Sequence, residues 1–208
     1  MSKRLPNVAG EWIDRNQPIE FSFEGQRYSG FAGDTLSSAL HASGVRALGR
    51  SFKYHRLRGI LSMANHDVNT MMQIGDRLNL RADVTPLESD MKAIAINTRG
   101  GLRGDRMAIM DKLSPFLPVG FYYKAFHTPK SFFPKWERTI RNTSGLGEIK
   151  FDAPRTKTPK RYDFCDVLII GAGPSGLSAA ITAADADAKV VVVDENPHAG
   201  GSLAYQRG

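Results

Sequence analysis

The sequence predicts two structured parts: an α+β unit with the element order of a β-grasp, then the opening of an α/β unit of Rossmann type. Three observations carry this expectation. Apolar and polar residues alternate over 19–23, and after a Glu24-Gly25 turn 26–30 returns as a second strand. A helix-like stretch and two later apolar runs follow that hairpin. Near the end, Val167-Leu168-Ile169-Ile170 runs directly into Gly171-Ala172-Gly173-Pro174-Ser175-Gly176.

The elements follow in order. Segment 33–44 reads as a helix with Asp34 as its N-cap, because a carboxylate there can accept from the free amides of the first turn. Leu36, Ala39 and Leu40 share one face, and Gly44 is a suitable stop. Segments 78–84 and 92–97 are expected strands, and 105–113 a short helix. From 116 to 136 the chain is dense in aromatics and broken by Pro118, Pro129 and Pro134. Segment 150–161 is basic, carries Pro154 and Pro159, and reads as an extended linker. Strand 166–170, an alanine-rich helix over 175–186 and strand 189–193 complete the pattern. The expected organisation is a β-grasp domain over 1–110, an aromatic and basic arm over 111–162, and an incomplete Rossmann domain over 163–208. A sheet of that type needs several more strands, so the chain reads as the front of a longer protein.

Composition narrows the classes. With 208 residues, 41% hydrophobic and 24% charged, one or two globular domains are expected. The net charge of +7 is concentrated in 124–161 and so reads as local. Cys165 is the single cysteine, which excludes a disulfide framework within the chain and a four-cysteine metal or iron–sulfur site. It is expected to be a small core residue. His55, His66 and His127 lack metal-ligand spacing and read as structural or exposed. No h-region follows Met1, and the apolar runs near Val167 and Val190 are too short to span a bilayer. The expectation is a cytoplasmic protein with no membrane association. No nucleophile elbow, triad or credible acid–base pair is visible, so no catalytic residue and no metal ligand is assigned.

The glycines carry the chemistry. Gly171 permits the tight turn out of the strand, Gly173 lets backbone approach a pyrophosphate, and Gly176 allows close helix–strand packing. The diphosphate would sit at the helix N-terminus, with the Ser175 amide as a donor. Asp194 ends the second strand and suits the adenosine ribose hydroxyls; Glu195 is the second candidate for that contact. An acid there argues against a 2′-phosphate. Asn196, Gly200, Gly201 and Ser202 follow and would pass beside the adenosine. The competing reading is a glycine-rich turn in an unrelated α/β domain.

Two basic segments remain. In 49–59, Arg50, Lys53, His55, Arg56 and Arg58 lie among Phe52 and Tyr54. That suits an anion or partner-subunit contact, or a solvated loop packed by its own aromatics. In 116–141, Phe121, Tyr122, Tyr123, Phe126, Phe132, Phe133 and Trp136 are interleaved with Lys124, Lys130, Lys135, Arg138 and Arg141. Such a mixture can bind single-stranded nucleic acid, but no RNA-binding pattern accompanies it. It reads rather as an arm packing on neighbouring domains.

Gly33-Asp34-Thr35-Leu36, the run Arg50-Ser51-Phe52-Lys53-Tyr54-His55-Arg56 ending at Arg58-Gly59, the run from Phe116 through Pro118 and Tyr122 to Lys124, and the glycine motif together resemble the alpha subunit of heterotetrameric sarcosine oxidase. The resemblance implies a ferredoxin-like β-grasp domain without cluster cysteines. It implies NAD bound through Ser175, Asp194, Glu195, Asn196 and Ser202. It also implies FAD on a beta subunit, covalent FMN at the alpha–beta interface, tetrahydrofolate on a C-terminal domain, and beta, gamma and delta partners. The complex would oxidatively demethylate sarcosine to glycine, and this chain alone would be inactive. The rival enzyme reading is a subunit of an opine or proline dehydrogenase or a cyanide synthase, relatives that often keep cluster cysteines. The non-enzyme rival is a basic aromatic binding or assembly module.

Overall fold

A computed structural model describes residues 4–63, 67–116, 120, 130–143, 151–152, 157–196 and 198–205. The chain divides into two compact units, Met1–Phe151 and Asp152–Gly208.

In the first unit, β1 (Asp14–Phe23) and β2 (Gln26–Ala32) form an antiparallel hairpin with Phe23 opposite Gln26. Glu24 and Gly25 both take positive φ, the conformation a two-residue hairpin turn requires. Along β1, Phe21 and Phe23 point into the core while Glu20 and Ser22 lie on the other face. Helix α1 (Leu36–Ala42) covers the apolar face with Leu36, Ala39 and Leu40, all fully buried. Burying a leucine side chain completely is worth about 1.5–3 kcal/mol, so this short helix is held by packing rather than by length.

The helix begins one residue later than the sequence suggests. Thr35 is the N-cap, and Thr35 and Ser38 form a reciprocal capping box. Asp34 instead is buried behind the cap. Its carboxylate accepts from the Phe31 amide (2.9 Å), the Ser38 hydroxyl (2.6 Å) and the Arg4 guanidinium. The aspartate therefore joins the N-terminal segment at Arg4, the hairpin and the helix.

A short antiparallel pair, β3 (Gly49–Arg50) and β4 (Leu57–Arg58), follows. Then come β5 (Met71–Ile74), β6 (Arg77–Arg81) and β7 (Lys92–Ala95). The sheet order is β2-β1-β7-β5-β6. It is mixed: β1 and β7 run parallel, with Ser22 opposite Lys92, and the other pairs are antiparallel. Strand β5 was absent from the sequence expectation. Met72 and Ile74 alternate inward along it, but four residues give too little alternation to register.

Past the sheet, a 3-10 turn over Arg106–Ala108 leads into α2 (Ile109–Lys112), inside the expected 105–113. Within the expected arm, Phe133–Thr143 forms helix α3. Pro134 sits in its first turn, where a missing N–H costs nothing. Most of the aromatic run, including Phe121, Tyr122, Tyr123 and Phe126, lies outside the described residues, as do His66, His127 and much of the expected linker.

The second unit is a parallel β-α-β: β8 (Val167–Ile170), α4 (Pro174–Asp185) and β9 (Val190–Val193). The register pairs Val167 with Val190 and Ile170 with Val193. Leu168, Ile170 and Val193 are more than half or about half exposed, so this two-stranded sheet leaves apolar surface uncovered. Cys165 precedes β8 and is half-buried rather than in a core. Among the described residues, no helix is long and apolar enough to cross a membrane.

Candidate dinucleotide site

The site is built where β8 ends. Gly171 leaves the strand at φ +104°, a conformation that favours glycine, and its N–H donates to Val193 O (2.7 Å). Gly173 is the N-cap of α4; its carbonyl accepts the first helical bond from Leu177 (2.9 Å). The amides of Ser175 and Gly176 lie in the first turn, where no intrahelical acceptor exists. A β-carbon on Gly176 would collide with the carbonyl oxygen of Gly171 and approach Ile169 Cγ2 to 3.4 Å. A β-carbon on Gly173 would meet nothing within 4 Å. Gly176 therefore serves close packing, while Gly173 opens onto empty space at a helix N-terminus. That open space adjoins the free amides of the first turn of the helix, an arrangement that fits a dinucleotide diphosphate.

Asp194 closes the site from the second strand. Its Oδ2 accepts from Ala172 N–H (2.6 Å), and its Oδ1 accepts from the Asn196 backbone N–H (2.7 Å) and side-chain amide (2.9 Å). These bonds, that from Ala172 foremost, hold the carboxyl below the usual aspartate range against a smaller opposing effect of desolvation. One lone pair of Oδ2 remains for a ribose hydroxyl. Glu195 next to it is exposed, and Asn196 is half-buried.

The following segment folds back on the turn. Gly200 N–H donates to Ala172 O (2.8 Å), and a β-carbon on Gly201 would stand 3.0 Å from Gly173 Cα. The 3-10 turn Gly201–Tyr205 starts there, with Ser202 exposed. Gly171, Gly173, Ser175, Gly176, Asp194, Glu195, Asn196 and Ser202 thus belong to one stretch of surface around the turn. Ala172 ties both loops together through its N–H and its C=O. An alanine between two glycines gives no side-chain signal of that role.

A second polar cluster lies in the first unit. His55 is buried, not exposed, and its Nδ1 is 2.7 Å from Asp105 Oδ2. Asp105 Oδ1 accepts from the Arg99 and Met107 amides (2.9 and 3.1 Å). Burial pushes the Asp105 carboxyl up, but the bonds from Arg99, His55 and Met107 outweigh it, and the net direction is down. Arg50 Nε donates to Leu102 O (2.8 Å), and the guanidinium also bonds the His55 carbonyl. His55 and Asp105 are 50 residues apart, so spacing could not reveal the pair. Among the described residues, no group of three or more His, Cys, Asp or Glu is placed to hold a metal ion.

Two family models match the chain. Residues 16–98 match a 2Fe-2S iron-sulfur cluster binding domain, and residues 166–207 match FAD dependent oxidoreductase. The first stretch contains no cysteine, so the residues present do not fit a cluster held by thiolates. A sarcosine oxidase subunit alpha of Rhizobium meliloti (strain 1021) is 43% identical over 97% of this chain and 21% of its own length. One from Corynebacterium sp. (strain U-96) is 30% identical over 97% of this chain and 17% of its own length. The crystal structure of L-proline dehydrogenase from P. horikoshii superposes with a TM-score of 0.51 at 17% identity. It covers 91% of this chain and 27% of that one, and it shows a shared fold. The chain therefore spans about a fifth of the length of the curated relatives it matches. It joins a ferredoxin-like domain to an FAD-oxidoreductase-like one, and it is a homologue, over nearly its whole length, of the alpha subunits of sarcosine oxidase.

Proposed function

We propose that this chain is the dinucleotide-binding front of an alpha subunit in a multi-subunit, flavin-dependent amine oxidoreductase, with sarcosine as substrate and NAD as the ligand of the 171–202 site. The observation that supports it most is the geometry of the turn. Gly173 leaves open space at the N-terminus of α4, and Asp194, just past β9, bonds the Ala172 amide of the same turn. When bound, the dinucleotide supplies redox capacity or a structural anchor to the complex. This chain's own residues bind and orient it. Gly173, Ser175 and Gly176 face the diphosphate, Glu195 and the free lone pair of Asp194 take the ribose hydroxyls, and Ser202 and Asn196 flank the adenosine. On this reading the second unit is the start of a Rossmann-type domain, with the domain boundaries expected from the sequence. FAD, FMN and tetrahydrofolate belong to other parts of the complex, alongside beta, gamma and delta subunits.

A second reading, FAD in this same turn, is favoured by the match of residues 166–207 to FAD dependent oxidoreductase. Titration of the full-length subunit with NAD and with FAD separates the two. NAD binding that is weakened in Glu195→Ala, together with sarcosine-dependent hydrogen peroxide release by the assembled complex, supports the first reading. FAD binding at this turn without NAD binding supports the second. Absence of both ligands, or an assembled complex inactive on sarcosine, contradicts the proposal.

A further inference from the structure

We propose that the β3–β4 hairpin, residues 49–58 with its loop at 51–56, is a preformed docking tip for a companion subunit, one that offers an apolar socket rimmed by carboxylates. The inference rests on the reading of the chain as part of a multi-subunit enzyme.

The base of the loop is locked from inside. Arg50, with its side chain 9% exposed, bonds the carbonyls of Leu102 and His55, and buried His55 is held by Asp105. Ser51 N–H donates to Arg56 O (2.8 Å), His55 N–H to Ser51 O (3.1 Å), and Arg56 N–H to Ser51 Oγ (3.0 Å). His55 takes φ +53°, in the left-handed region, and the surrounding bonds hold it there. A loop fixed in this way has little freedom left to lose on association.

What the locked base presents is apolar and cationic. Phe52 is 41% exposed and Leu57 53%. Arg56 and Arg58 are exposed beside them. Exposed aromatic and arginine side chains on a rigid support are the residue types that anchor protein interfaces. The same geometry disfavours two other occupants. Lys53 Nζ and the Arg56 guanidinium each lie 4.7 Å from the centre of the Tyr54 ring, so that ring is engaged by cations and is poorly placed to stack a nucleobase. Arg50 is committed to carbonyls and Arg56 to Asp111 (2.6 Å), so the segment does not form an open guanidinium cluster for a small anion. Apolar side chains that need dry cover, with exposed Arg58 next to Leu57 in the chain, call for a protein surface that is apolar and carries opposite charge. The relatives carry the name subunit alpha, and a companion subunit is the occupant that name supplies.

The test uses the full-length subunit co-expressed with its companion subunits, with the photo-crosslinking amino acid p-benzoylphenylalanine in place of Phe52. After irradiation of the purified complex, mass spectrometry identifies the attached peptide. The expected attachment is to an acid-rich, apolar segment of a companion subunit. Phe52→Ala and Arg58→Glu, checked for unchanged melting temperature, are each expected to weaken association at least about tenfold. Arg27→Glu, on the exposed side of β2, is expected to leave it unchanged. Attachment to the subunit's own chain, to a second copy, to lipid or to nucleic acid overturns the proposal, as does an assembled complex with no attachment. A wild-type subunit that purifies without companions overturns it too, and marks the failure as that of the multi-subunit reading.

Discussion

Asp194 Oδ2 accepts the backbone N–H of Ala172 at 2.6 Å, so the acid that ends β9 fixes the loop that ends β8. The usual assignment of such an acid is to the ribose alone. Here most of its acceptor capacity is spent on holding the turn. Asp194→Ala is expected to weaken dinucleotide binding about tenfold or more and to loosen 171–176. Glu195→Ala is expected to weaken binding while leaving those amides in place. Hydrogen exchange at Ala172 separates the two: fast in the first variant, unchanged in the second.

The same carboxylate makes the second unit acid-sensitive. Its folded-state pKa is depressed, so the stability it contributes is present above the unfolded value near 4 and is lost as pH falls through the folded value. Wild type and Asp194→Ala should therefore differ in urea denaturation at neutral pH and converge in strong acid.

The glycines of the turn should fail differently. Gly176→Ala places a β-carbon against the Gly171 carbonyl, a backbone atom that cannot swing away, and is expected to cost about 3 kcal/mol or more. Gly173→Ala meets open space at an extended φ of −74° and should fold normally, yet obstruct the diphosphate. Circular dichroism with calorimetric titration checks both. A folded Gly176→Ala that still binds, or a Gly173→Ala that binds like wild type, contradicts this division of labour.

Asp105 should be the most costly acid to remove in the first unit. Its side chain is fully buried and satisfies His55, Arg99 N–H and Met107 N–H at once, with Arg50 Nε 3.5 Å away. Asp105→Ala leaves those donors buried without their acceptor and is expected to cost about 3–5 kcal/mol. Thermal denaturation measures it. Because the Asp105 carboxyl is held low, its contribution too is present above about pH 4 and lost as the pH falls below that.

The sequence showed most clearly what repeats or what is locally spelled out. The β1–β2 hairpin is legible from the alternation over 19–23 and the Glu24-Gly25 turn, and the strand–glycine–helix–strand pattern around Gly171 is legible with its ends within one or two residues. Asp34 and Thr35 are neighbours of similar capping ability, and only burial decides that Thr35 caps while Asp34 serves Arg4, Phe31 and Ser38. Helix α3 was hidden because Pro134 reads as a breaker until its place in the first turn is known. The bond from Ala172 to Asp194, and the burial of His55 on Asp105, depend on contacts 22 and 50 residues away, which no local pattern encodes.

An NMR titration of the isotope-labelled chain with NAD tests the site most directly. The uncovered faces of β8 and β9 make the unit marginal, so binding is expected no tighter than roughly millimolar, a range NMR resolves. The predicted result is a saturable set of amide shifts at Gly173, Ser175, Gly176, Glu195 and Ser202, abolished by Gly176→Ala. Shifts confined to 49–59, or no shifts around the turn at saturating NAD, would show that these glycines do not hold NAD.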